Sequence, residues 1–589
     1  MEFFVKYVYL FLLLFFTLAS LDAEETEAGR HLVVIEGNRA FADPVLYDAL
    51  SIDTGSVLTF WRDTPPTLDD KLIPTLEATL ESFYRSEGYY DANFKIEETS
   101  STVYISIKEN SPVVVGSIEI ESDYAVTPFI VPKRGHVFRA KDFIATKSAI
   151  IEHLLDEGYC SYQLDTKAYV DLDKHRADLH YLLQKGGVCT FGKANIEGLK
   201  SIEKEVVLSR VRAKEGERFD PKKVKETYNS IYALNSFDTV KVSVDRKIYN
   251  VVPIDIALSE VENAYHFEGG VGYDTYIGAR VHASLVKKNF FGNAQQSGVK
   301  LSWSQKEQLA TGNYFKPALF TLFGYGIDFG TEFGYSNLEF KGFKEKKSFL
   351  KSYLEHNEGR LKLKTGLALE NIDITALDNL TKNQTLTQAV TEGTFLLFYP
   401  YVDVVYDARD DKLNPKHGYY LAASMEYGFP YKADASTYIK LFAEGRLIHT
   451  FDKLTLAGVG KVGVVDQTSK ELPESKFFFG GGSFSNRAYG FNTIGVVLSP
   501  VLDSIAGASS MLNLSLEADY PLWGKLYGAV FTDNTMLNEE SYDFTGDVIT
   551  SAGVGVRYLT PIGPFKLDVG FNVNKPSRYG ISFQIGQSF

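Results

Sequence analysis

The stretch Phe565–Asn574 reads Phe-Lys-Leu-Asp-Val-Gly-Phe-Asn-Val-Asn and alternates strictly in polarity. Its odd-numbered residues are all apolar, whereas its even-numbered residues are charged, polar or glycine. Successive side chains of a β-strand point to opposite faces, so the stretch predicts a strand with one apolar and one polar face. A strand between lipid and a polar interior has this division, although a strand of a soluble sandwich would alternate as well.

The same alternation recurs through the region from 263 to 589. It divides Tyr438–Leu447 and also the C-terminal strand, whose apolar face would carry Tyr579, Ile581, Phe583, Ile585 and Phe589. At about 10 residues per strand and about as many per connection, the region has room for around 16 strands. Backbone groups cannot remain unpaired in lipid, so the strands are predicted to close into a transmembrane antiparallel β-barrel.

The N terminus and the composition fit an exported membrane protein. Residues 1–23 combine a short apolar run, Val8–Phe16, with small residues near Ser20 and Ala23, which predicts a cleaved secretory signal peptide. A retained anchor helix is the alternative, but the run is shorter than a membrane-spanning helix requires. The chain has 36 Tyr, 42 Phe and 48 Gly, a mixture typical of strands, turns and membrane-interface girdles. Its net charge of −14 disfavours nucleic acid as the main partner.

Cys160 and Cys189 are the only two cysteines in the chain. In an oxidising compartment a disulfide between them would stabilise the fold by roughly 3–4 kcal/mol. Two buried free thiols are the alternative. The sequence favours the disulfide because the signal peptide predicts export.

Residues 31–262 precede the barrel region and repeat at intervals of roughly 75 to 80 residues. Each unit combines a short strand, two amphipathic helices and a closing pair of strands, and the units span 31–111, 112–187 and 188–262. The main predicted helices are Thr75–Glu87, Phe143–Glu157, Glu203–Val211 and one that begins at Pro221 behind the capping residue Asp220. The sequence therefore predicts three small α+β domains in tandem.

A glycine-rich loop is predicted between two of the barrel strands, over Gly480–Phe491, which reads Gly-Gly-Gly-Ser-Phe-Ser-Asn-Arg-Ala-Tyr-Gly-Phe. Arg487 follows the glycines among aromatic residues, where its permanent charge requires a carboxylate. Glu517 and Asp533 are the candidates, together or singly. Alternation places Glu517 on the polar face of its strand, but the residues before Asp533 are apolar on both faces. A solvated arginine after a flexible loop is the alternative.

Three motifs resemble those of the BamA/TamA superfamily of outer-membrane assembly proteins. Residues Arg487, Ala488, Tyr489, Gly490 and Phe491 resemble the Arg-Gly-Tyr or Arg-Gly-Phe motif of its inward-folded loop, with the motif's glycine replaced by Ala488, which requires a negative φ. Residues Asp407, Arg409, Asp410, Pro415 and Gly418 resemble a structural strand–turn motif of the same superfamily. The C-terminal residues Phe583, Ile585 and Phe589 resemble the insertion signal of outer-membrane proteins.

The tandem units in turn resemble POTRA domains. The resemblance as a whole implies three periplasmic POTRA domains and an outer-membrane barrel of about 16 strands, nearest to the TamA-type members. It further implies a role in inserting or secreting β-barrel proteins such as autotransporters through a lateral barrel seam. The implied partners are a TamB-like inner-membrane-anchored periplasmic protein, unfolded outer-membrane protein clients and the lipid bilayer.

Several other functions remain open at this point. Within the superfamily the alternatives are a BamA-like general insertase and a two-partner secretion transporter. A passive pore or a barrel that supports lipid transport would belong to another class. No enzyme activity, cofactor or metal is expected, because Gly480–Gly482 is not followed by the Lys-Ser/Thr of a phosphate-binding loop and the histidines lack ligand spacing.

Overall fold

The computed structural model describes residues 29–54, 65–245, 250–274, 278–323, 325–377, 390–430, 436–468, 472–499, 504–560 and 563–585. The predicted signal peptide, residues 1–23, lies outside these ranges, and so does Phe589. Within the ranges, no helix combines the length and the apolar character needed to cross a bilayer. The chain divides into two compact units, the first ending near Thr190 and the second holding most of the remainder.

The first unit contains two α+β modules, each built on a small sheet with helices packed against it. The sheets have the strand orders β2-β1-β4-β3 and β5-β7-β6. The elements are β1 (Arg30–Glu36), α1 (Asp43–Ala49), β2 (Thr67–Asp69), α2 (Leu76–Ser86), β3 (Asn93–Glu98), β4 (Thr102–Lys108), β5 (Val114–Ser122), α3 (Ala140–Asp156), β6 (Gln163–Asp171) and β7 (Arg176–Gln184).

The long helix of each module buries one side chain every fourth residue. In α2 these are Leu76, Leu80 and Tyr84, all nearly inaccessible to solvent. Residues at this spacing share one face of a helix, so the apolar stripe faces the sheet. The second module departs from the predicted pattern, because only a 3-10 turn, Thr127–Phe129, precedes α3. Pro128 lies within this turn and Pro132 follows it, and proline disfavours a longer helix there.

Cys160 and Cys189 form a disulfide bond in the first unit. Cys160 follows α3, and Cys189 lies beyond the end of β7, so the bond closes a segment that contains the β6–β7 hairpin. The backbone N–H of Cys189 also donates to the carbonyl oxygen of Gly158 at 2.9 Å. The alternative of two free thiols is therefore excluded.

The second unit begins with a third small sheet, of strand order β8-β10-β9. Its elements are β8 (Thr190–Glu197), α4 (Lys204–Leu208), α5 (Pro221–Tyr232), β9 (Phe237–Val244) and β10 (Val251–Glu260). Helix α4 is shorter than predicted, and the chain that leaves it contacts the barrel. Arg210 pairs with Asp328 at 2.6 Å, and Arg212 donates to the carbonyl oxygen of Asn357 at 2.6 Å.

Glu260 stabilises the loop that leads into α4. One of its carboxylate oxygens accepts from the backbone N–H groups of Lys200, Ser201 and Ile202 at 2.7, 2.9 and 3.1 Å. The other oxygen accepts from the Ser201 hydroxyl at 2.6 Å. Burial by itself raises the pKa of Glu260, but these donors outweigh it and the net pKa is lowered.

The remainder of the second unit is a 16-stranded antiparallel sheet that closes into a barrel, as predicted. Neighbouring strands follow one another along the chain, except that β21 pairs with β24. The strands are β11 (Tyr265–Asp274), β12 (Gly278–Lys287), β13 (Gln296–Ser304), β14 (Glu307–Leu322), β15 (Tyr325–Glu339), β16 (Phe343–Glu358), β17 (Leu361–Ala376), β18 (Gly393–Asp407), β19 (His417–Pro430), β20 (Tyr438–Phe451), β21 (Leu454–Gln467), β24 (Ser510–Trp523), β25 (Leu526–Asn538), β26 (Ile549–Thr560), β27 (Gly563–Asn572) and β28 (Tyr579–Ile585).

The alternation of the sequence divides the barrel wall into two faces, as predicted. On β27, Leu567 is 46% exposed on the outer face and Asp568 is 4% exposed on the inner face. On β24, Leu516 is 49% exposed and Glu517 is 7% exposed. The outer face is therefore apolar and the inner face carries the charges, which is the arrangement of a barrel in lipid.

The two ends of the sheet meet at a seam. Strands β11 and β28 end the strand order and approach each other. Within the described parts of the two strands, no ladder pair joins them, whereas β11 pairs along its whole length with β12. Among the described strands, β11 and β28 are therefore the neighbours with the weakest connection.

Candidate functional site

A long loop, residues 468–509, connects β21 to β24, and its described parts, 472–499 and 504–509, fold into the barrel. It contains a short hairpin of β22 (Val496–Ser499) and β23 (Ser504–Ala506). The loop turns at Gly481 and Gly482, whose φ values are +100° and +90°. A Cβ atom at Gly481 would lie 2.3 Å from the carbonyl oxygen of Gly490, so only glycine fits there.

Arg487 lies at the inner end of this turn and is bound by Asp533 on β25. The guanidinium donates from Nε to Oδ2 and from Nη2 to Oδ1, both at 2.9 Å. The backbone N–H of Arg487 also donates to Oδ2 at 2.9 Å. The Asp533 carboxylate thus binds both the side chain and the backbone of Arg487. A bidentate pair of this kind fixes orientation as well as distance.

Glu517 on β24 binds the same guanidinium, accepting from Nη1 through its Oε2. Phe531 on β25 faces inward beneath it, with the ring centroid 3.4 Å from the Arg487 Cζ. This inward phenylalanine explains why the sequence before Asp533 is apolar on both faces. The structure therefore brings Arg487 together with both carboxylates that the sequence offered as candidates.

The network continues onto two further strands that sequence reasoning did not connect with the loop. Arg557 on β26 donates to Glu517 at 2.8 Å and to Asp568 on β27 at 2.5 Å. Asp568 lies 3.6 Å from Arg487, and Lys566 lies 3.8 Å from Glu517. Lys566 and Asp568 belong to the polar face of the stretch Phe565–Asn574, but only the strand order shows that Asp568 lies near Arg487 and Lys566 near Glu517.

The residues on either side of Arg487 are buried in the same wall. Asn486 donates to the carbonyl oxygen of Ile549 at 3.0 Å and accepts from the Ser551 hydroxyl at 2.6 Å. Ala488 is buried and has no positive φ, so alanine fits in place of the motif's glycine. The hydroxyl of Tyr489 accepts from Asn572 at 2.8 Å.

A pair of glycines on the last two strands provides the surface on which the loop lies. Gly570 on β27 and Gly580 on β28 are cross-strand partners. A Cβ atom at Gly580 would lie 2.4 Å from the Arg487 carbonyl oxygen, and one at Gly570 would lie 2.9 Å from the backbone nitrogen of Ala488. The loop backbone therefore touches the wall directly beside the seam.

The strand–turn motif lies elsewhere, between β18 and β19. Arg409 donates to both carboxylate oxygens of Asp407 at 2.9 Å. Asp410 accepts from the backbone N–H of Lys416 at 2.9 Å, and Gly418 adopts a φ of +116°. Pro415 lies within the same turn. All of these contacts are local, so the motif fixes the shape of its own turn.

The remaining predicted residues lie near the end of the chain and in the outer part of the loop. Phe583 is 56% exposed on the outer face of β28, and Ile585 is the last residue of that strand. Phe589 lies outside the described residues. Phe491 is exposed at the end of the glycine-rich loop, and the Thr493 hydroxyl donates to the carbonyl oxygen of Gly490 at 2.8 Å.

Comparison with known proteins gives a consistent result for both parts of the chain. The Omp85 superfamily domain model matches residues 289–589. The POTRA model, described as a surface antigen variable number repeat, matches residues 31–110 and 189–260.

Two similar curated proteins carry the name outer membrane protein assembly factor BamA. The one from Neisseria meningitidis serogroup B is 22% identical over 634 residues, covering 95% of this chain and 78% of the relative. The one from Nitratidesulfovibrio vulgaris Hildenborough is 21% identical over 588 residues, covering 95% and 73%. The crystal structure of BamA from Haemophilus ducreyi lacking POTRA domains 1–3 has a TM-score of 0.54 at 18% identity, covering 81% of this chain and 100% of that one. This structural likeness supports the same fold.

Proposed function

This chain belongs to the Omp85 superfamily, and on that premise we propose that it assists the assembly of other β-barrel proteins in the bacterial outer membrane. The chain is an outer-membrane β-barrel with periplasmic POTRA domains. The proposed work requires no covalent chemistry, because it consists of holding an unfolded client and offering it a strand edge with which to pair.

The observation that carries the proposal is the seam between β11 and β28. Along the described parts of these strands no ladder pair joins them, so their edges offer backbone donors and acceptors. An available strand edge binds an extended segment by adding it to the sheet. A client strand would pair at this edge and would thereby satisfy its backbone groups before it meets lipid.

The three small sheets would hold clients in the periplasm by the same physical means. Strands β3, β6 and β9 each form an edge of their sheet. An edge strand recognises an extended chain through main-chain hydrogen bonds, which depend little on the client's sequence. Such edges would suit partners that share alternating strands rather than one particular motif.

The loop network would restrict where the barrel opens. Arg487 and its partners connect β24, β25, β26 and β27, while the loop backbone lies on Gly580 of β28. We propose that this loop keeps the C-terminal strands together. The wall would then open at the seam and not between two of the C-terminal strands. The chain's own insertion into the membrane would precede this function, and its signal would be formed by Phe583, Ile585 and Phe589.

Three tandem α+β domains favour a TamA-type function, in which clients such as autotransporters are inserted or secreted with a TamB-like inner-membrane-anchored partner. The second candidate is a general insertase, which the similarity to BamA over 95% of this chain favours. The two differ in client range, since a general insertase would affect most barrel proteins and a TamA-type factor only a subset.

Deletion of the gene, followed by quantitative proteomics of isolated outer membranes, tests the proposal. We expect a defined set of barrel proteins to fall and to return when the chain is supplied in trans. Loss of most barrel proteins would indicate the general insertase. An unchanged proteome with altered lipid asymmetry would contradict protein assembly and would indicate a role in lipid transport. Copurification of the tagged periplasmic domains from the same strain would test for the TamB-like partner.

A further inference from the structure

Lys476 is a second buried cation of the same loop, eleven positions before Arg487 in the chain. Its ammonium lies 2.8 Å from Glu370 on β17 and donates to Glu426 on β19 at 3.1 Å. It also lies 4.0 Å from the ring centroid of Tyr399 on β18. Lys476 therefore occupies a closed site formed by strands that do not belong to the Arg487 network.

The two carboxylates of this site are themselves held in place. The Tyr399 hydroxyl donates to Glu370 at 2.7 Å, and the Tyr438 hydroxyl donates to Glu426 at 3.3 Å. The side chains of Lys476 and Glu370 are 7% and 4% exposed. Glu426 is 24% exposed and Lys351 lies 3.7 Å from Glu370, but Lys476 is the nearest cation to both carboxylates among the described residues, so its loss would leave each without its main partner.

Neighbouring contacts of the loop fix the Lys476 segment further. Phe478 exchanges two backbone hydrogen bonds with Ala508, at 2.9 and 2.8 Å. Its ring packs in an apolar cluster inside the barrel that includes Phe343 and Leu397 from the wall. The backbone N–H of Gly507 donates to Glu474 at 3.1 Å. The segment is thus seated by packing as well as by charge.

We propose that the loop is fastened inside the barrel by two independent ionic anchors, Lys476 on β17–β20 and Arg487 on β24–β27. The anchors hold the two ends of the segment 476–487 against different parts of the wall. Between the anchors the segment passes β21, where Lys461 donates to the carbonyl oxygen of Phe484 at 2.7 Å, and release of either anchor leaves the loop attached at the other. Lys476 is a positioning residue in this arrangement, and the inference holds whether or not the chain handles clients.

The experiment uses the full-length protein in detergent and in liposomes, with one reporter cysteine near each anchor. Both native cysteines are in the disulfide, so Ser475→Cys or Ser483→Cys supplies the only reactive thiol. The readout is the labelling rate with a membrane-impermeant maleimide. Heat-modifiable migration in gel electrophoresis confirms that each variant keeps its barrel.

We expect Lys476→Met to raise the labelling rate at residue 475 about a hundredfold, as befits the loss of one partner of a buried ion pair, and to change the rate at residue 483 by less than about threefold. Arg487→Met should do the reverse. Only the double variant should raise the single-channel conductance strongly. Unchanged labelling at residue 475 in Lys476→Met would overturn the proposal, and so would an equal rise at both reporters.

A compensated variant separates charge pairing from shape. In Lys476→Met/Glu370→Gln/Glu426→Gln the cation and both of its carboxylates are replaced by neutral side chains, Lys351 loses its ionic contact with Glu370, and the tyrosine hydroxyls still have amide oxygens to which they can donate. We expect this variant to recover most of the protection at residue 475. If it labels as fast as Lys476→Met alone, the site does not hold the loop through its charges and the second anchor is wrong.

Discussion

Arg409 and Arg487 use the same chemistry in two parts of the molecule. Both side chains are nearly buried, at 3% and 6% exposure, and each donates hydrogen bonds to both carboxylate oxygens of one aspartate. Arg409 binds Asp407, two residues away in the chain, whereas Arg487 binds Asp533, 46 residues away. The first pair shapes a turn and the second fastens one element to another, so the separation of the partners decides what the pair does.

The largest expected effect comes from replacing Arg487 by methionine, which would remove the long-range pair between Arg487 and Asp533. Asp533 would remain buried without its cation, whereas Glu517 would keep Arg557, and the expected cost is about 3–5 kcal/mol. We expect the loop segment around residue 487 to leave the wall and to be cleaved by external protease in intact cells. Protease protection equal to that of the unsubstituted protein would contradict the pairing as the cause of the loop's position.

Gly580→Ala tests the same contact from the other side, without removing any charge. The added methyl would lie 2.4 Å from the Arg487 carbonyl oxygen, so the loop or β28 has to move, at a cost of about 1–3 kcal/mol. The matched control is Gly460→Ala on β21, where nothing lies within 4 Å of the added atom. We expect a lower midpoint of heat modification for Gly580→Ala only. Equal midpoints for the two variants would show that the loop does not rest on Gly580.

Arg409→Met would remove the local pair between Arg409 and Asp407. Asp407 is 16% exposed, so water partly replaces the lost donors and the expected loss is about 1–2 kcal/mol. The barrel should unfold at slightly lower denaturant concentration in fluorescence measurements. The loop at Arg487 should remain protected from protease. Increased cleavage there would show that the two arginines are coupled and that the contrast between them is wrong.

Glu260 sharpens the comparison, because it is a carboxylate satisfied by N–H and hydroxyl donors rather than by an arginine. Its folded pKa lies below the ordinary value of 4.5. The stability that it contributes is therefore present above pH 4.5 and is lost as the pH falls through the folded pKa. We expect Glu260→Gln to flatten this part of the pH dependence of unfolding, measured by circular dichroism. A profile parallel to that of the unsubstituted protein would contradict this.

The sequence predicted the faces of the barrel better than the contacts inside it. Alternation placed Glu517 on the inner face because the period of a strand is fixed by its geometry. Asp533 stayed ambiguous because Phe531, which is apolar, also faces inward to lie beneath the guanidinium. The inner face of a barrel is therefore not uniformly polar where a loop packs against it.

Partners that depend on strand order were beyond the sequence pattern. Arg557 reaches Glu517 and Asp568 reaches Arg487 because β26 and β27 are adjacent in a particular register, which alternation alone does not specify. Lys476 was missed for a different reason. It stands directly before three phenylalanines, Phe477–Phe479, so its charge, like that of Arg487 among aromatic residues, requires a carboxylate.

The partners of the two ends of the segment 476–487 also differ in their position along the chain, and therefore in the order in which they are synthesised. Glu370, Tyr399, Glu426 and Tyr438 all precede Lys476 along the polypeptide, whereas Glu517, Asp533 and Asp568 all follow Arg487. If the chain enters the membrane from its N terminus, all the partners of Lys476 arrive before any of these three partners of Arg487. The arginine can be seated only after the final strands have arrived, so its closure marks the completion of the barrel.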